Sequence, residues 1–122
     1  MTEARNTIAV VDDDARLLES LENLFESAGY RVRSFSSGGG LIQAGLSDID
    51  CLITDIGMPD MDGFALFEAV KSVRADLPVF LITGRHEIGD QRRASAAGIR
   101  GFFRKPFNGP ALLAGVGEAL RS

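Results

Sequence analysis

The sequence predicts an α/β fold of the doubly wound kind, a (βα)5 unit with a five-stranded parallel sheet and helices on both faces. Three observations predict it. Short apolar, β-branched runs alternate along the chain with stretches of helical hydrophobic spacing. Glycines stand just past the first and fourth helical stretches, at Gly29 and Gly98, where a helix commonly stops. Four of the strand runs end on polar side chains, and in such folds ligand sites form outside the carboxyl ends of the strands.

The elements follow in order. Thr7–Val11 reads as a buried strand that stops at Asp12, Asp13 and Asp14. Residues 15–28 carry Leu17, Leu18, Leu21, Leu24 and Phe25 at helical spacing. Residues 30–35 alternate, as a strand near a sheet edge does. Residues 36–46 read as a short helix capped by Ser36, its first turns weakened by Gly38, Gly39 and Gly40 at about 1 kcal/mol per glycine. Residues 50–54 form the next buried strand, ending at Asp55, and residues 57–63 are a turn-rich loop. Residues 64–74 are a helix that turns Phe64, Leu66, Phe67 and Val70 inward. Residues 78–83 are a strand ending at Thr83, residues 88–97 a polar-faced helix, and residues 99–104 a fifth strand followed by Lys105 and Pro106. Asn108 caps the last helix, residues 110–120. Crossovers between the parallel strands are right-handed.

The 122 residues correspond to one domain, with an ordered core over about residues 7–121 and no output domain expected within the chain. A hydrophobic content of 45% excludes disorder as the main state. No run suits a membrane span, and Met1–Asn6 lacks the apolar segment of a signal peptide, so a cytoplasmic location is expected. The single cysteine, Cys51, excludes an internal disulfide and a cysteine-based zinc site, and reads as packing. Residues 1–70 carry 13 acidic and 4 basic side chains, and residues 71–122 carry 4 acidic and 9 basic ones. The overall acidity argues against direct nucleic-acid binding, which needs a basic footprint.

The strand ends bring Asp12, Asp13, Asp55, Thr83 and Lys105 to one edge of the sheet. Clustered carboxylates raise one another's pKa unless a cation is near. Two or three of them in water suit a hard divalent ion such as Mg²⁺, which keeps open positions for phosphate oxygens. Lysine and threonine can hold the remaining oxygens of a phosphoryl group, and an aspartate can itself be the nucleophile. Each feature alone has a plainer reading. An Asp pair after a strand is often a helix cap, which is the reading adopted for Asp14. A strand-end threonine, a Lys-Pro step and a core phenylalanine are each ordinary. Their joint occurrence at four strand ends carries the functional reading. His86, between Arg85 and Glu87, reads as a solvated loop residue with no assigned role.

Residues 10–14 (Val-Val-Asp-Asp-Asp), 52–63 (Leu-Ile-Thr-Asp-Ile-Gly-Met-Pro-Asp-Met-Asp-Gly), 81–84 (Leu-Ile-Thr-Gly) and 101–107 (Gly-Phe-Phe-Arg-Lys-Pro-Phe) resemble the response regulator receiver domain of two-component signalling. The resemblance covers essentially residues 7–121. It implies strand order 2-1-3-4-5. It implies Asp55 as phosphoacceptor, accepting a phosphoryl group from a histidine kinase or a histidine phosphotransfer protein. It implies Mg²⁺ or Mn²⁺ held by Asp13, by Asp12 through water, by Asp55 and by the backbone carbonyl of Gly57. Thr83 and Lys105 would bind the phosphoryl group, Phe102 would follow Thr83 in the switch, and the peptide before Pro106 would be cis. Such a domain is not a conventional enzyme, although it assists its own phosphorylation and dephosphorylation. Two positions depart from the family pattern or flank the path of attacking water: Gly57, which leaves that path open, and Arg85, which could cover it. Arg92, Arg93, Arg100 and Arg104 fall on the fourth helix and fifth strand, and with the last helix they imply a face for an output protein or a second copy, with solubility as the plain alternative.

Three other functions compete. A receiver-like adaptor acting by binding alone would tolerate loss of Asp55 or Lys105, and both are present. An aspartate-based phosphatase of the haloacid type would place a second aspartate where Gly57 stands. A nucleotide-binding flavodoxin-like protein would want a glycine-rich phosphate loop after the first strand, where this chain has aspartates.

Overall fold

A computed structural model describes residues 5–84 and 89–121 of the chain. Five strands and five helices alternate: β1 Thr7–Val11, α1 Ala15–Ser27, β2 Arg31–Phe35, α2 Gly38–Ala44, β3 Cys51–Asp55, α3 Gly63–Val73, β4 Val79–Thr83, α4 Asp90–Ala97, β5 Gly101–Arg104 and α5 Gly109–Arg121. All neighbouring strands pair in parallel, in the order β2-β1-β3-β4-β5. The chain therefore steps from β1 outward to β2 and then back across β1 to β3. That reversal opens a crevice between the loops that leave β1 and β3.

Strand alternation builds two core layers. Ile8, Val10, Cys51, Ile53, Phe80 and Ile82 pack toward α1 and α5 with Leu21, Phe25, Leu112 and Val116. Ala9, Val11, Leu52 and Val79 face the other way, onto Leu41 of α2 and Leu66, Phe67 and Val70 of α3. A smaller cluster of Ile56, Phe64, Leu81 and Ala94 lies under α4, with Phe102 packed against it. Every residue of β3 and β4 is buried, whereas β2 is half-exposed at the sheet edge. Among the described residues no helix is long and apolar enough to cross a membrane.

Several boundaries differ from the sequence expectation, for local reasons. The N–H of Tyr30 closes α1 by donating to Phe25 O, so β2 starts at Arg31. The N–H of Ile99 likewise closes α4 on Ala94 O, and β5 starts at Gly101 instead of Ile99. Asp62 caps α3 through the N–H of Ala65, which brings Gly63 into the helix. The cap of α2 is Ser37, not Ser36: Ser37 is extended and its Oγ accepts from Gly40 N at 3.1 Å. Nor is the glycine run merely weakening. Gly38 is buried, and a Cβ there would meet Met61 Sδ at 2.9 Å and Leu66 Cδ1 at 3.2 Å, so those two side-chain ends would have to shift. The expected start of the fourth helix at Ile88 lies outside the described residues.

Candidate functional site

The site is built where β1, β3, β4 and β5 end. Asp12 follows β1 directly, and its N–H donates to Phe35 O, which fixes the turn out of the strand. Its side chain is 1% exposed. Oδ1 accepts from the N–H of Asp14 at 2.9 Å, and Oδ2 accepts from Lys105 Nζ at 3.1 Å. Asp14 is the N-cap of α1, accepting from Arg16 N, which matches its reading as a helix-start residue. Asp13, between them, is exposed.

Asp55 is the last residue of β3 and is 6% exposed. Its Oδ1 lies 3.5 Å from Lys105 Nζ. The ammonium thus bridges two carboxylates that arrive from different strands. Lys105 is placed by its own N–H, which donates to Thr83 O at 2.8 Å just past the end of β5, and the Lys105–Pro106 peptide is cis. Thr83 is buried at the end of β4.

The loop after Asp55 folds back on the strand end. The N–H groups of Met58 and Gly63 both donate to Ile56 O. Asp60 takes a left-handed conformation, φ 67°, inside this turn. Gly63 had no role in the sequence reading. A Cβ there would lie 2.5 Å from Asp55 O and 2.9 Å from Ile56 Cα, so only glycine lets α3 start against the backbone that carries Asp55. The available signal was a glycine directly after a capping aspartate, where a better helix former would ordinarily stand. Gly57 is exposed, and the space where its Cβ would lie is open.

Electrostatics follow from this geometry. Burial raises the pKa of Asp12, and the charge of Asp55 raises it further, against the opposing hydrogen bonds from Asp14 N–H and Lys105. Burial alone would lower the pKa of Lys105. The hydrogen bond to Asp12 and the charges of Asp12 and Asp55 outweigh it, so the ammonium is held protonated. Carboxylate oxygens of Asp12, Asp13 and Asp55 lie within 4.8 Å of one another. These three carboxylates are a donor set of the hard oxygen type that Mg²⁺ takes.

Phe102 is partly buried on β5, packed on the cluster beneath α4, with the Arg104 guanidinium 5.4 Å from its ring centre. A contact absent from the sequence reading ties α4 to α3: the Arg93 guanidinium lies 4.0 Å from the centre of the Phe64 ring. The structure thus brings Asp12, Asp13, Asp55 and Lys105 together and sets Thr83 and Phe102 on the adjoining strands. Arg85 and His86 lie outside the described residues.

The doubly wound sheet thus carries a lysine-bridged acidic cluster at its switch point. The family comparison narrows this. The model of the response regulator receiver domain matches residues 8–116, so the chain belongs to that family, the signalling domain of two-component systems. It is 34% identical over 122 residues to the response regulator protein TmoT of Ectopseudomonas mendocina, covering 99% of this chain and 56% of that protein. It is 34% identical over 116 residues to the transcriptional regulatory protein FixJ of Bradyrhizobium diazoefficiens, covering 93% of this chain and 56% of that one. The chain thus spans a little over half the length of these relatives. Among solved structures, a response regulator receiver domain protein from Clostridium thermocellum superposes with a TM-score of 0.88 at 25% identity, covering 95% of this chain and 94% of that one.

Proposed function

We propose that this receiver accepts a phosphoryl group on Asp55 from the phosphohistidine of a histidine kinase or phosphotransfer protein, and that the modified state changes what the domain binds. The observation that carries this reading is the Lys105 ammonium placed 3.1 Å from Asp12 and 3.5 Å from Asp55 beside Asp13. An Asp55 carboxylate oxygen attacks phosphorus, the P–N bond to the donor imidazole breaks, and the imidazole leaves with its electron pair and takes up a proton. The product is an acyl phosphate on Asp55.

Asp12, Asp13, Asp55 and the Gly57 carbonyl would hold Mg²⁺ or Mn²⁺, which when bound supplies positive charge to the phosphoryl oxygens. Lys105 balances the charge that the group brings and holds one of its oxygens. Thr83 donates its hydroxyl to another. Movement of Thr83 toward the group then favours an inward Phe102, which biases a two-state equilibrium of the α4–β5–α5 face. That face would meet an output protein or a second copy. Residues 7–121 act as one receiver unit in this reading, in the cytoplasm. Gly57 leaves the phosphoryl group open to water, which favours a short-lived product, and Arg85 would act against it.

Intact mass after incubation with acetyl phosphate and Mg²⁺ tests the reading. One phosphoryl group should add to the native chain and none to Asp55→Asn. Addition to Asp55→Asn would place the nucleophile elsewhere. No addition to the native chain, together with no binding of beryllofluoride, would favour an adaptor that acts without phosphorylation.

A further inference from the structure

α4 is lightly seated on the sheet. Of its eight residues only Asp90 and Ala94 are buried, whereas α3 beside it buries Phe64, Leu66, Phe67 and Val70. Two side-chain contacts tie it to α3. At its C-terminal end Lys71 Nζ donates to Ala97 O at 3.3 Å. Nearer its N-terminal end Arg93 lays its guanidinium 4.0 Å from the centre of the Phe64 ring. These two contacts reach different places. Lys71 lies over Phe67, in the core layer shared with α2. Phe64 belongs to the cluster beneath α4, with Leu81, Ala94 and Ile56, the residue that follows Asp55. The glycine before Phe64 lies against the Asp55 backbone, where a Cβ would meet Asp55 O at 2.5 Å. Phe102 pairs with Leu81 in the β4–β5 register, packs against the same cluster and stays partly exposed.

We propose that the Arg93–Phe64 stack is a latch that opposes the inward position of Phe102, which makes Arg93 a positioning residue for the phosphoacceptor site. Ile56, Phe64, Leu81 and Ala94 are each at most 2% exposed, and a packed interior of this kind has no spare room for a ring. Seating Phe102 deeper needs about 3.5 Å, one carbon contact distance. α4, with Ala94 as its one buried apolar anchor, is the element that yields. Backing off by that much takes the guanidinium from 4.0 Å to beyond the roughly 6 Å within which a cation is drawn to a ring. The stack and an inward Phe102 therefore exclude each other. Linkage makes the effect reciprocal, so a contact that disfavours the inward ring also lowers affinity for whatever at Asp55 favours it. The inference rests on the reading of Phe102 as the ring that follows Thr83.

The probe is beryllofluoride with Mg²⁺, titrated into the native chain, Arg93→Met, Arg93→Lys and Lys71→Met, with the Phe102 ring signals followed by NMR. Arg93→Met keeps an aliphatic stem and loses the cation. It should bind the probe about two- to fivefold more tightly, the worth of a cation–ring contact at an exposed position. Its Phe102 signals should lie part of the way toward the bound positions before any probe is added. The sign is diagnostic, because loss of a positive charge by itself weakens attraction for an anion. Arg93→Lys, which keeps a cation, should stay near the native affinity. Lys71→Met frees the other end of α4 outside the cluster and should leave affinity unchanged. In a Phe64→Leu background, Arg93→Met should add nothing. Unchanged or weaker binding by folded Arg93→Met, beside a native chain that binds the probe, overturns the latch and leaves the phosphoacceptor reading standing. An equal gain in Lys71→Met, or a gain that persists with Phe64→Leu, also overturns it, since general loosening of α4 would then suffice. A native chain that neither binds beryllofluoride nor takes phosphate from acetyl phosphate overturns the phosphoacceptor reading. In that case Phe102 signals that move in Arg93→Met support the latch, and signals that stay in place overturn it.

Discussion

Two glycines in helical first turns should respond to alanine with opposite sign. At Gly63 a Cβ would sit 2.5 Å from Asp55 O, 2.9 Å from Ile56 Cα and 3.1 Å from Asp55 C, all of them backbone atoms that cannot rotate away. Ordinary carbon–oxygen contact needs roughly 3.2 Å or more, so α3 or the end of β3 must move by the better part of an ångström. Overpacking of this kind costs about 1–3 kcal/mol, and the helix preference of alanine returns about 1 kcal/mol at most. Gly63→Ala is therefore expected to lose up to about 2 kcal/mol, or as much as several degrees in Tm for a domain of this size. It should also slow phosphoryl acceptance from acetyl phosphate, because the backbone that shifts carries Asp55. At Gly39 nothing lies within 4 Å of a Cβ, and the residue is exposed. Gly39→Ala should gain about 0.5–1 kcal/mol through reduced freedom of the unfolded chain. Urea unfolding of both variants beside the native chain measures the pair, with phosphoryl acceptance followed by intact mass. Equal signs for the two substitutions, or a stable Gly63→Ala with unchanged acceptance, would refute the close-approach argument.

Other expectations follow from the same geometry. Mg²⁺ should stabilise the fold by relieving repulsion among Asp12, Asp13 and Asp55, by about 2.7 kcal/mol at a hundredfold excess over Kd, read as a higher Tm in a thermal scan, and Asp13→Asn should blunt the gain. Cys51 is fully buried and its thiol is pushed up to about 12, so Ellman's reagent should react only as the protein unfolds; prompt reaction in native buffer would contradict the packing. Because Asp12 has a raised pKa when folded, its contribution to stability is full below the ordinary carboxylate range and falls as pH rises through the raised value. Lys105→Met removes one influence that lowers that pKa, so the urea midpoint without metal should drop more at about pH 7 than at about pH 4.5; a larger penalty at the acid end would show the sign to be wrong. Gly57→Met, whose Cβ enters open space, should leave stability within about 0.5 kcal/mol and lengthen the life of the phosphoryl form, read as the decay of the added mass.

The sequence by itself determined the fold class and the chemistry-bearing positions, because both are local signals. Hydrophobic period separates strand from helix. Parallel strands all finish at one end, so reading the residues at the strand ends located the cluster: Asp12, Asp55 and Lys105, which the structure brings together, were legible without coordinates, and Thr83 ends the neighbouring strand. Asp14 as a cap and Asn108 as the last helix's cap were legible for the same reason, and the N–H of Ala111 does donate to Asn108 Oδ1. Only the tertiary structure decided what depends on two distant segments meeting. Ser37 took the place of Ser36 as cap, its Oγ accepting from Gly40 N, and Gly38 packs close to Met61 and Leu66. Gly63 acquired its importance from the Asp55 carbonyl, Arg93 from the Phe64 ring, and Lys105 its bridging place from two carboxylates on different strands. Strand boundaries at Arg31 and Gly101 were set by helix-closing hydrogen bonds that compete with the ladder.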